Sequence, residues 1–73
     1  MITLEQIRIN LIDAIKHSGK SQKEIAAAIG VTQQTVSEYI HCKSMPALDT
    51  FARICECIDC DPAEILCIKN PSA

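Results

Sequence analysis

Two adjacent glutamines, Gln33 and Gln34, carry side chains whose chemistry suits the recognition of a polar edge. Each side-chain amide has an acceptor oxygen and a donor nitrogen, so it can form a pair of hydrogen bonds with a partner that offers both. The major-groove edge of adenine, with its N7 acceptor and N6 donor, is such a partner. These amides can reach a duplex only if the surrounding chain holds them outward on a rigid element.

Residues 21 to 40 contain a pattern that predicts such an element. They read SQKEIAAAIGVTQQTVSEYI, two short helical patterns separated by Gly30. Gly30 can adopt positive φ without a Cβ clash, and Ala26 is small enough for a second helix to approach the first closely. The spacing places the following side chains between the two helices: Ile25, Ala26, Ile29, Val31, Val36 and Tyr39. The pattern predicts a helix-turn-helix whose second helix, 32–40, enters the DNA major groove with the two glutamines at its leading end.

The starts of the first three helices are predicted from capping residues. A capping box opens the first helix, in which Thr3 accepts a backbone hydrogen bond and Gln6 reaches back. A second box joins Ser21 to Glu24, and Thr32 is expected to cap the third helix. The first helix is amphipathic and is expected to turn the following side chains to the core: Ile7, Leu11, Ala14 and Ile15.

Two more helices complete an all-α, five-helix prediction. The fourth runs from about residue 47 to 57 or 58 and is expected to turn one apolar face inward: Leu48, Phe51, Ile54, Cys55 and Ile58. Asp61 and Pro62 begin the short fifth helix, and Ile65 and Leu66 are expected to close the core. We therefore expect one domain over residues 1–73, with its core at 3–68, a frayed tail at 69–73 and no second, effector-binding domain.

The bulk composition favours a small helical domain, and its charge limits non-specific DNA binding. The chain is 48% apolar and has only two glycines and three prolines, which is atypical of a disordered segment. We expect a cytoplasmic protein without a membrane span or a signal peptide. The net charge is −2, but residues 1–47 hold five basic against four acidic side chains, whereas 48–66 hold one against five. A weak phosphate attraction suggests that a monomer binds poorly and that paired half-sites are needed.

These patterns together resemble the lambda-repressor-like, or Xre/Cro type, helix-turn-helix DNA-binding family. The resemblance covers about residues 7 to 66 and includes the 20-residue core, the loop ending in Pro46 and the segment LDTFARICECIDCDPAEIL. It implies a compact five-helix bundle with the helix-turn-helix at helices 2 and 3, double-stranded operator DNA as the ligand, and a homodimer on a two-fold site. The function implied is that of a transcriptional regulator, most simply a repressor.

The resemblance also implies roles for individual residues. The base-reading positions are Gln33, Gln34, Ser37 and Glu38, and Glu38 could accept from cytosine N4. Gln22 resembles a glutamine that bonds a phosphate, and Thr32, Lys43 and Ser44 match further phosphate-contacting positions. By their location we expect Lys23 and His41 to add phosphate contacts.

The chain departs from the family pattern at two places. Where the family frequently has an Arg–Glu pair, this chain has Ile15 and Ile40, which we interpret as an apolar substitute for that pair. Cys42 occupies a position where the family often has glycine. A positive φ there would cost cysteine about 1 to 2 kcal/mol, so we expect the loop to take a different shape.

Five cysteines invite a metal or redox interpretation: Cys42, Cys55, Cys57, Cys60 and Cys67. Two of them, Cys55 and Cys57, lie two residues apart in a helix and should point about 200° away from each other, which does not suit a metal knuckle. We expect reduced thiols that pack as small apolar groups, no metal and no cofactor. A redox-sensing Cys42 or Cys67, or a metal-gated regulator, stays an alternative.

No arrangement of residues predicts catalysis, and the dimer surface is the least determined feature. The sequence has no nucleophile–base–acid order and no glycine-rich phosphate loop, and so small a bundle has little room for a substrate pocket. Candidates for the dimer surface are the apolar residues Ile2, Ile9, Ile12 and Ile68. The alternative on the same fold is a protein-interaction module, such as an antitoxin-like or anti-repressor partner, which the negative net charge would suit.

Overall fold

Five helices follow one another along residues 1–68, the part of the chain that the structure, a computed structural model, describes. They are α1 (Leu4–His17), α2 (Gln22–Ile29), α3 (Gln33–Ile40), α4 (Leu48–Ile58) and α5 (Pro62–Ile65). Every regular element in this range is helical, which confirms the predicted all-α fold class. None of these five helices has the length and apolar character needed to cross a bilayer. The tail at 69–73, for which we predict fraying, lies outside the described residues.

Side-chain caps fix the starts of α2, α3 and α5 as predicted. The Ser21 hydroxyl accepts from the Glu24 N–H at 3.1 Å, and the Glu24 carboxylate accepts from the Ser21 N–H at 3.1 Å. Thr32 Oγ1 accepts from the Thr35 N–H at 3.2 Å, and Asp61 Oδ1 from the Ala63 N–H at 3.0 Å. Each bond satisfies a backbone donor that has no partner within its own helix.

The start of α1 forms only half of the predicted capping box. The Gln6 N–H donates to Thr3 Oγ1 at 3.2 Å, as expected. The Gln6 side chain does not reach back; its Nε2 donates instead to Asn10 Oδ1 at 2.9 Å. Residues four apart are neighbours on a helix surface, so Asn10 offers the Gln6 amide a partner that a sequence motif does not reveal. The predicted return contact from Gln6 is wrong.

The turn between α2 and α3 has the geometry that the sequence predicts. Gly30 lies in the left-handed region at φ +78°, and the Val31 N–H donates to the Ala26 carbonyl at 3.1 Å. This turn lets α3 pack on α2, while α2 also packs on α4 and α1 packs on α5. The turn thereby presents α3 at one side of the bundle.

One hydrophobic core joins all five helices. Its ten buried residues are Leu11, Ile15, Ile25, Ala26, Ile29, Val36, Tyr39, Ile54, Cys55 and Ile65. Val31, Leu66 and Ile40 are half-buried. Ile15 and Ile40 both pack in this core, which supports the interpretation that aliphatic contacts stand where the family frequently has an ion pair.

Leu48 is an exception to the predicted inward face of α4. Its exposed fraction is 85%, whereas Ile54 and Cys55 on the same helix are buried. Leu48 is the first residue of α4 and lies at the edge of the apolar stripe, because each residue advances the helix by about 100°. The core does not extend to that first turn, so the predicted burial of Leu48 is wrong.

Candidate nucleic-acid interface

Two anchors fix the orientation of α3 on the bundle. Val36 and Tyr39 lie three residues apart, on the same side of the helix, and both are buried. Burial is the main reason that the pKa of Tyr39 is raised above its ordinary value of 10.0, so its hydroxyl stays neutral beside Glu38 and Asp49. With these two side chains inside, the opposite side of α3 must face solvent.

The four predicted base-reading residues share that outer side of α3. At about 100° per residue, Gln34 lies opposite the two anchors, Ser37 and Glu38 lie on either side of it, and Gln33 lies at the margin. Gln33 and Gln34 are exposed, and Ser37 and Glu38 are half-exposed. Within residues 1–68 neither glutamine amide has a hydrogen-bond partner, so both amides are available to a ligand.

The predicted phosphate-binding residues flank this outer side. Gln22 and Lys23 occupy the first two positions of α2, the first half-exposed and the second exposed. Thr32 is exposed at the start of α3, where its Oγ1 lies 2.9 Å from Thr35 Oγ1 in addition to capping the helix. Both sites adjoin the positive end of a helix dipole, which favours anions.

The loop after α3 has a left-handed residue at Cys42. Its φ is +60°, the Cys42 N–H donates to the Tyr39 carbonyl at 3.3 Å, and the Lys43 N–H donates to the Glu38 carbonyl at 2.9 Å. These paired bonds are those of a Schellman motif, in which glycine is the usual left-handed residue. The expectation of a different loop shape is therefore wrong, and Cys42 adopts the glycine-type conformation. The motif leaves the Lys43 side chain exposed and Ser44 half-exposed.

His41 and Ser37 interact at the end of α3. His41 Nδ1 lies 2.8 Å from the Ser37 carbonyl oxygen and 3.3 Å from Ser37 Oγ. Because a carbonyl can only accept, Nδ1 carries the proton, and Nε2 of the neutral ring is then an acceptor. A phosphate contact from His41 through Nε2 therefore requires the charged imidazolium.

The basic side chains near α3 have no acidic partner within residues 1–68. The one ion pair in this range joins Arg53 to Asp49 at 3.9 Å, within α4, and both side chains are exposed. Lys23 and Lys43 are thus free to meet an external anion. Asp13, Asp61 and Glu64 instead gather around a surface cavity between α1 and α5.

Sequence reasoning missed two polar residues of α1 that hold distant segments in place. Arg8 Nε lies 3.2 Å from Met45 Sδ and so ties α1 to the loop before Pro46. Asn10 Nδ2 donates to the Ile65 carbonyl at 3.0 Å and lies 3.2 Å from Cys67 Sγ, which ties α1 to α5. Both side chains are half-buried, and a polar residue beside the core-facing positions of α1 is the signal that could have indicated such contacts.

The five thiols are free and differ in exposure. Cys42 and Cys67 are exposed, Cys57 and Cys60 are intermediate, and Cys55 is buried. Among the described residues, no three side chains of the His, Cys, Asp and Glu types are grouped so that they could hold a metal ion.

The comparison with known families agrees with this geometry. A family model described as Helix-turn-helix matches residues 11–65, a span that begins within α1 and ends at the last residue of α5. No curated protein and no solved structure matches the chain. The matched span contains all ten of the predicted site residues and supports a DNA-binding regulator. With this match and an all-α bundle that presents α3 as described, the chain belongs to the Xre, or lambda-repressor-like, helix-turn-helix family.

Proposed function

We propose that this protein is a sequence-specific transcriptional repressor that binds a two-fold operator as a homodimer. The observation that carries the proposal is the outer side of α3, where two glutamine amides are exposed and have no hydrogen-bond partner within residues 1–68. A repressor of this kind acts by occupying a promoter, and it needs only a surface that fits one DNA sequence better than others.

In this proposal, base reading is the task of four side chains on α3. Gln33 and Gln34 each place an amide against the N7 and N6 edge of adenine, and Glu38 accepts from cytosine N4. Ser37 can donate to or accept from either strand. Its bond with His41 restricts its rotation, which supports a fixed contact rather than a mobile one.

Phosphate contacts would set the register of α3 in the groove. Gln22 and Lys23 at the start of α2, and Thr32 at the start of α3, would bind one strand beside the helix N-termini. His41, Lys43 and Ser44 follow α3 and would bind at its other end. Contacts at both ends of an eight-residue helix restrict its sliding and rotation in the groove.

Dimerisation would compensate for the weak phosphate attraction of a chain with net charge −2. Of the four apolar residues predicted for this surface, Ile2, Ile9 and Ile68 are exposed and Ile12 is half-buried.

Leu4 and Leu48 extend the exposed apolar surface, with exposed fractions of 57% and 85%. They border a cavity of about 240 Å³ whose other lining residues are Ile7, Met45, Pro46, Phe51 and Leu66. A projecting Leu48 beside an apolar cavity would let each copy place its Leu48 against the other copy's cavity across a two-fold axis, so we propose a second copy as the partner.

Selection of bound sequences from a random duplex pool tests the proposal. We expect enrichment of two inverted half-sites whose centres are about one helical turn apart, with adenines at the positions facing the glutamines. Recovery of unenriched sequences at low salt would contradict sequence-specific binding. Enrichment of a single half-site would contradict the dimer and leave base reading in place.

The negative net charge favours one alternative, a protein-interaction module on the same fold. Phosphate binding weakens steeply as salt concentration rises, whereas an apolar protein contact does not. This alternative would be favoured if the chain binds a protein partner even in concentrated salt and binds no DNA duplex in dilute buffer.

A further inference from the structure

The end of α4 brings two cysteines together that are five residues apart in the sequence. Asp59 lies in the left-handed region at φ +56°, and the chain turns back so that the Cys60 N–H donates to the Cys55 carbonyl at 3.0 Å. The covalent bonds from that oxygen and that nitrogen to their α-carbons add at most about 4 Å, so the two α-carbons lie within about 7 Å of each other. That is within the limit for a disulfide bridge without a large backbone movement.

The side chains of Cys55 and Cys60 both line one surface cavity of about 340 Å³ at the end of α4. Burial is the main cause that raises the pKa of the Cys55 thiol to about 12, and the neighbouring Cys60 thiol is the second. Cys55 is only 4% exposed, whereas Cys60 is half-buried and also lines the neighbouring cavity between α1 and α5. A small reagent can therefore reach Cys60 first.

The remaining cysteines are placed differently. Cys57 lies two residues from Cys55 on α4, which turns it about 200° around the helix axis. Cys42 follows α3, and Cys67 lies beside Asn10 at the end of α5. Cys55 and Cys60 line the cavity at the end of α4 together, and Cys57 is not among its lining residues.

We propose that Cys55 and Cys60 form an oxidisable dithiol that a small disulfide of the glutathione class converts into an intramolecular disulfide bond. This site is separate from the surface proposed for DNA, and it differs from the lone sensing thiols that the sequence suggests, Cys42 and Cys67.

The reaction proceeds by two exchanges. Cys60 loses its proton, its thiolate attacks one sulfur of the small disulfide, and the displaced thiolate takes up a proton. Cys55 then loses its proton and attacks the Cys60 sulfur of the mixed disulfide, which releases the second small thiol. The two protein thiols lose two electrons and two protons, and the small disulfide gains them as two thiols. The second exchange is the slower one, because the high pKa of Cys55 keeps its thiolate scarce.

Oxidation would close a short ring across the end of α4. A short ring removes less unfolded-chain entropy than a long one, so the bond is expected to have a modest effect on stability. It would tie α4, which packs on α2, to the cap of α5 at Asp61.

The test uses the full chain with the other thiols removed. Cys42→Gly and Cys67→Gly place glycine at two left-handed positions, and Cys57→Ala removes the third thiol from a helix that tolerates alanine. The triple variant is incubated with oxidised glutathione, denatured, alkylated and weighed by intact mass spectrometry. We expect a species that has lost two hydrogens, takes up no alkylating reagent, forms equally at all protein concentrations and reverts with dithiothreitol.

Two control variants identify the order of the steps. In the same background, Cys55→Ala should stop at a stable glutathione adduct on Cys60. Cys60→Ala should react far more slowly, because it leaves only the buried thiol. A stable glutathione adduct in the triple variant with Cys55 still open to alkylation, or a product linking two chains, would overturn the proposal.

A measurement on the unmutated chain covers the case in which the triple variant fails to fold. Oxidised protein is cleaved after Glu56 and Asp59, which separates Cys55, Cys57 and Cys60 into different peptides. A disulfide linking the Cys55 peptide to the Cys60 peptide supports the proposal. A linkage of Cys55 to any other cysteine, or none, contradicts it.

Discussion

Gln34 lies at the centre of the outer side of α3, and Gln33 lies at its margin. Replacing either amide by Ala removes the proposed paired contact to a base edge but no side-chain hydrogen bond within residues 1–68. We expect Gln33→Ala or Gln34→Ala to weaken binding to the selected duplex by about 1 to 3 kcal/mol and to leave binding to random DNA almost unchanged. Titration of labelled duplexes at fixed salt measures both affinities.

Gln6→Ala is a matched control for these substitutions. Gln6 is exposed on α1, where its amide bonds only to Asn10, so its removal should leave both affinities unchanged. If the α3 variants lose equal affinity for selected and random duplexes, the glutamines do not read bases.

Cys42 adopts a backbone conformation that its side chain disfavours. Glycine at that position avoids a backbone strain of about 1 to 2 kcal/mol in the folded chain. It also gives the unfolded chain more conformational freedom, which offsets about 0.4 to 1 kcal/mol of that gain in stability. We therefore expect Cys42→Gly to raise the free energy of unfolding by up to about 1.6 kcal/mol, as measured by urea denaturation. Cys57→Gly, within α4, should lower it by about 0.5 kcal/mol, because glycine has a lower helix propensity than cysteine. A destabilised Cys42→Gly protein would show that the Cys42 side chain makes a contact worth more than the strain.

At the level of the helices, the capping box of α2 links stability to pH. The pKa of Glu24 lies below its ordinary value of 4.5, chiefly because the carboxylate accepts from the Ser21 N–H, with the Ser21 hydroxyl and Lys20 as further causes. A pKa that is lower in the folded chain than in the unfolded chain stabilises the fold above 4.5, and this contribution is lost as the pH falls through the folded value. Glu24→Gln should therefore flatten the loss of thermal stability on acidification.

Ser21→Ala removes the other half of the same box. We expect a loss of about 1 kcal/mol in the free energy of unfolding, because the Glu24 N–H loses its acceptor. Thr3→Ala is the matched control, since Thr3 has only the single bond of a half-formed box. An equal loss for both variants would mean that the cap made by the Ser21 hydroxyl is not strengthened by the reciprocal bond from the Ser21 N–H to Glu24.

The helices differ in how much of them could be predicted from the sequence. The Ser21 box, the Thr32 cap and the left-handed Gly30 follow from local chemistry, since each depends on residues only three or four apart. The exposure of Leu48 and the bond from Gln6 to Asn10 depend on where the core ends and on which neighbours compete. Arg8 meets Met45 and Asn10 meets Ile65 only once the chain is folded, so the sequence can mark these polar residues of α1 as unusual but does not identify their partners.

As with the helices, part of the candidate site could be predicted from the sequence and part could not. The outer side of α3 follows from the periodicity of Val36 and Tyr39, so the exposure of Gln33 and Gln34 could be derived from the sequence. The backbone conformation of Cys42 could not be derived in this way. A family preference for glycine at a position does not predict whether a different residue there keeps the left-handed conformation. The DNA roles of the ten site residues stay predictions.

At the scale of the whole molecule, net charge and phosphate contacts together set the dependence on salt. Each phosphate neutralised contributes about −0.9 to the slope of log K against log salt. We expect Lys43→Gln to reduce the magnitude of that slope by about 1 for selected and random duplexes alike. Lys16→Gln, at the end of α1, should leave the slope unchanged. An unchanged slope for Lys43→Gln would remove the loop after α3 from the phosphate contacts.

The exposed apolar surface leads to a prediction about the oligomeric state of the protein. Leu48→Glu places a charge where the proposed second copy would pack, so we expect a dimer in the unmutated protein and a monomer in the variant. Sedimentation velocity measures both. Ala27→Glu, at an exposed position of α2, is the control for an added charge and should stay dimeric. A dimer that survives Leu48→Glu would place the interface elsewhere.

Val36 and Tyr39 support α3 from one side, while Gln33 and Gln34 on its other side are exposed and make no side-chain hydrogen bond within residues 1–68. Substitutions of the two glutamines should therefore cost little folding free energy, and Val36 and Tyr39 can stay unchanged while the preferred DNA sequence changes. Under the proposed function, exchanging Gln33, Gln34, Ser37 and Glu38 as a set would direct the same bundle to a different DNA sequence.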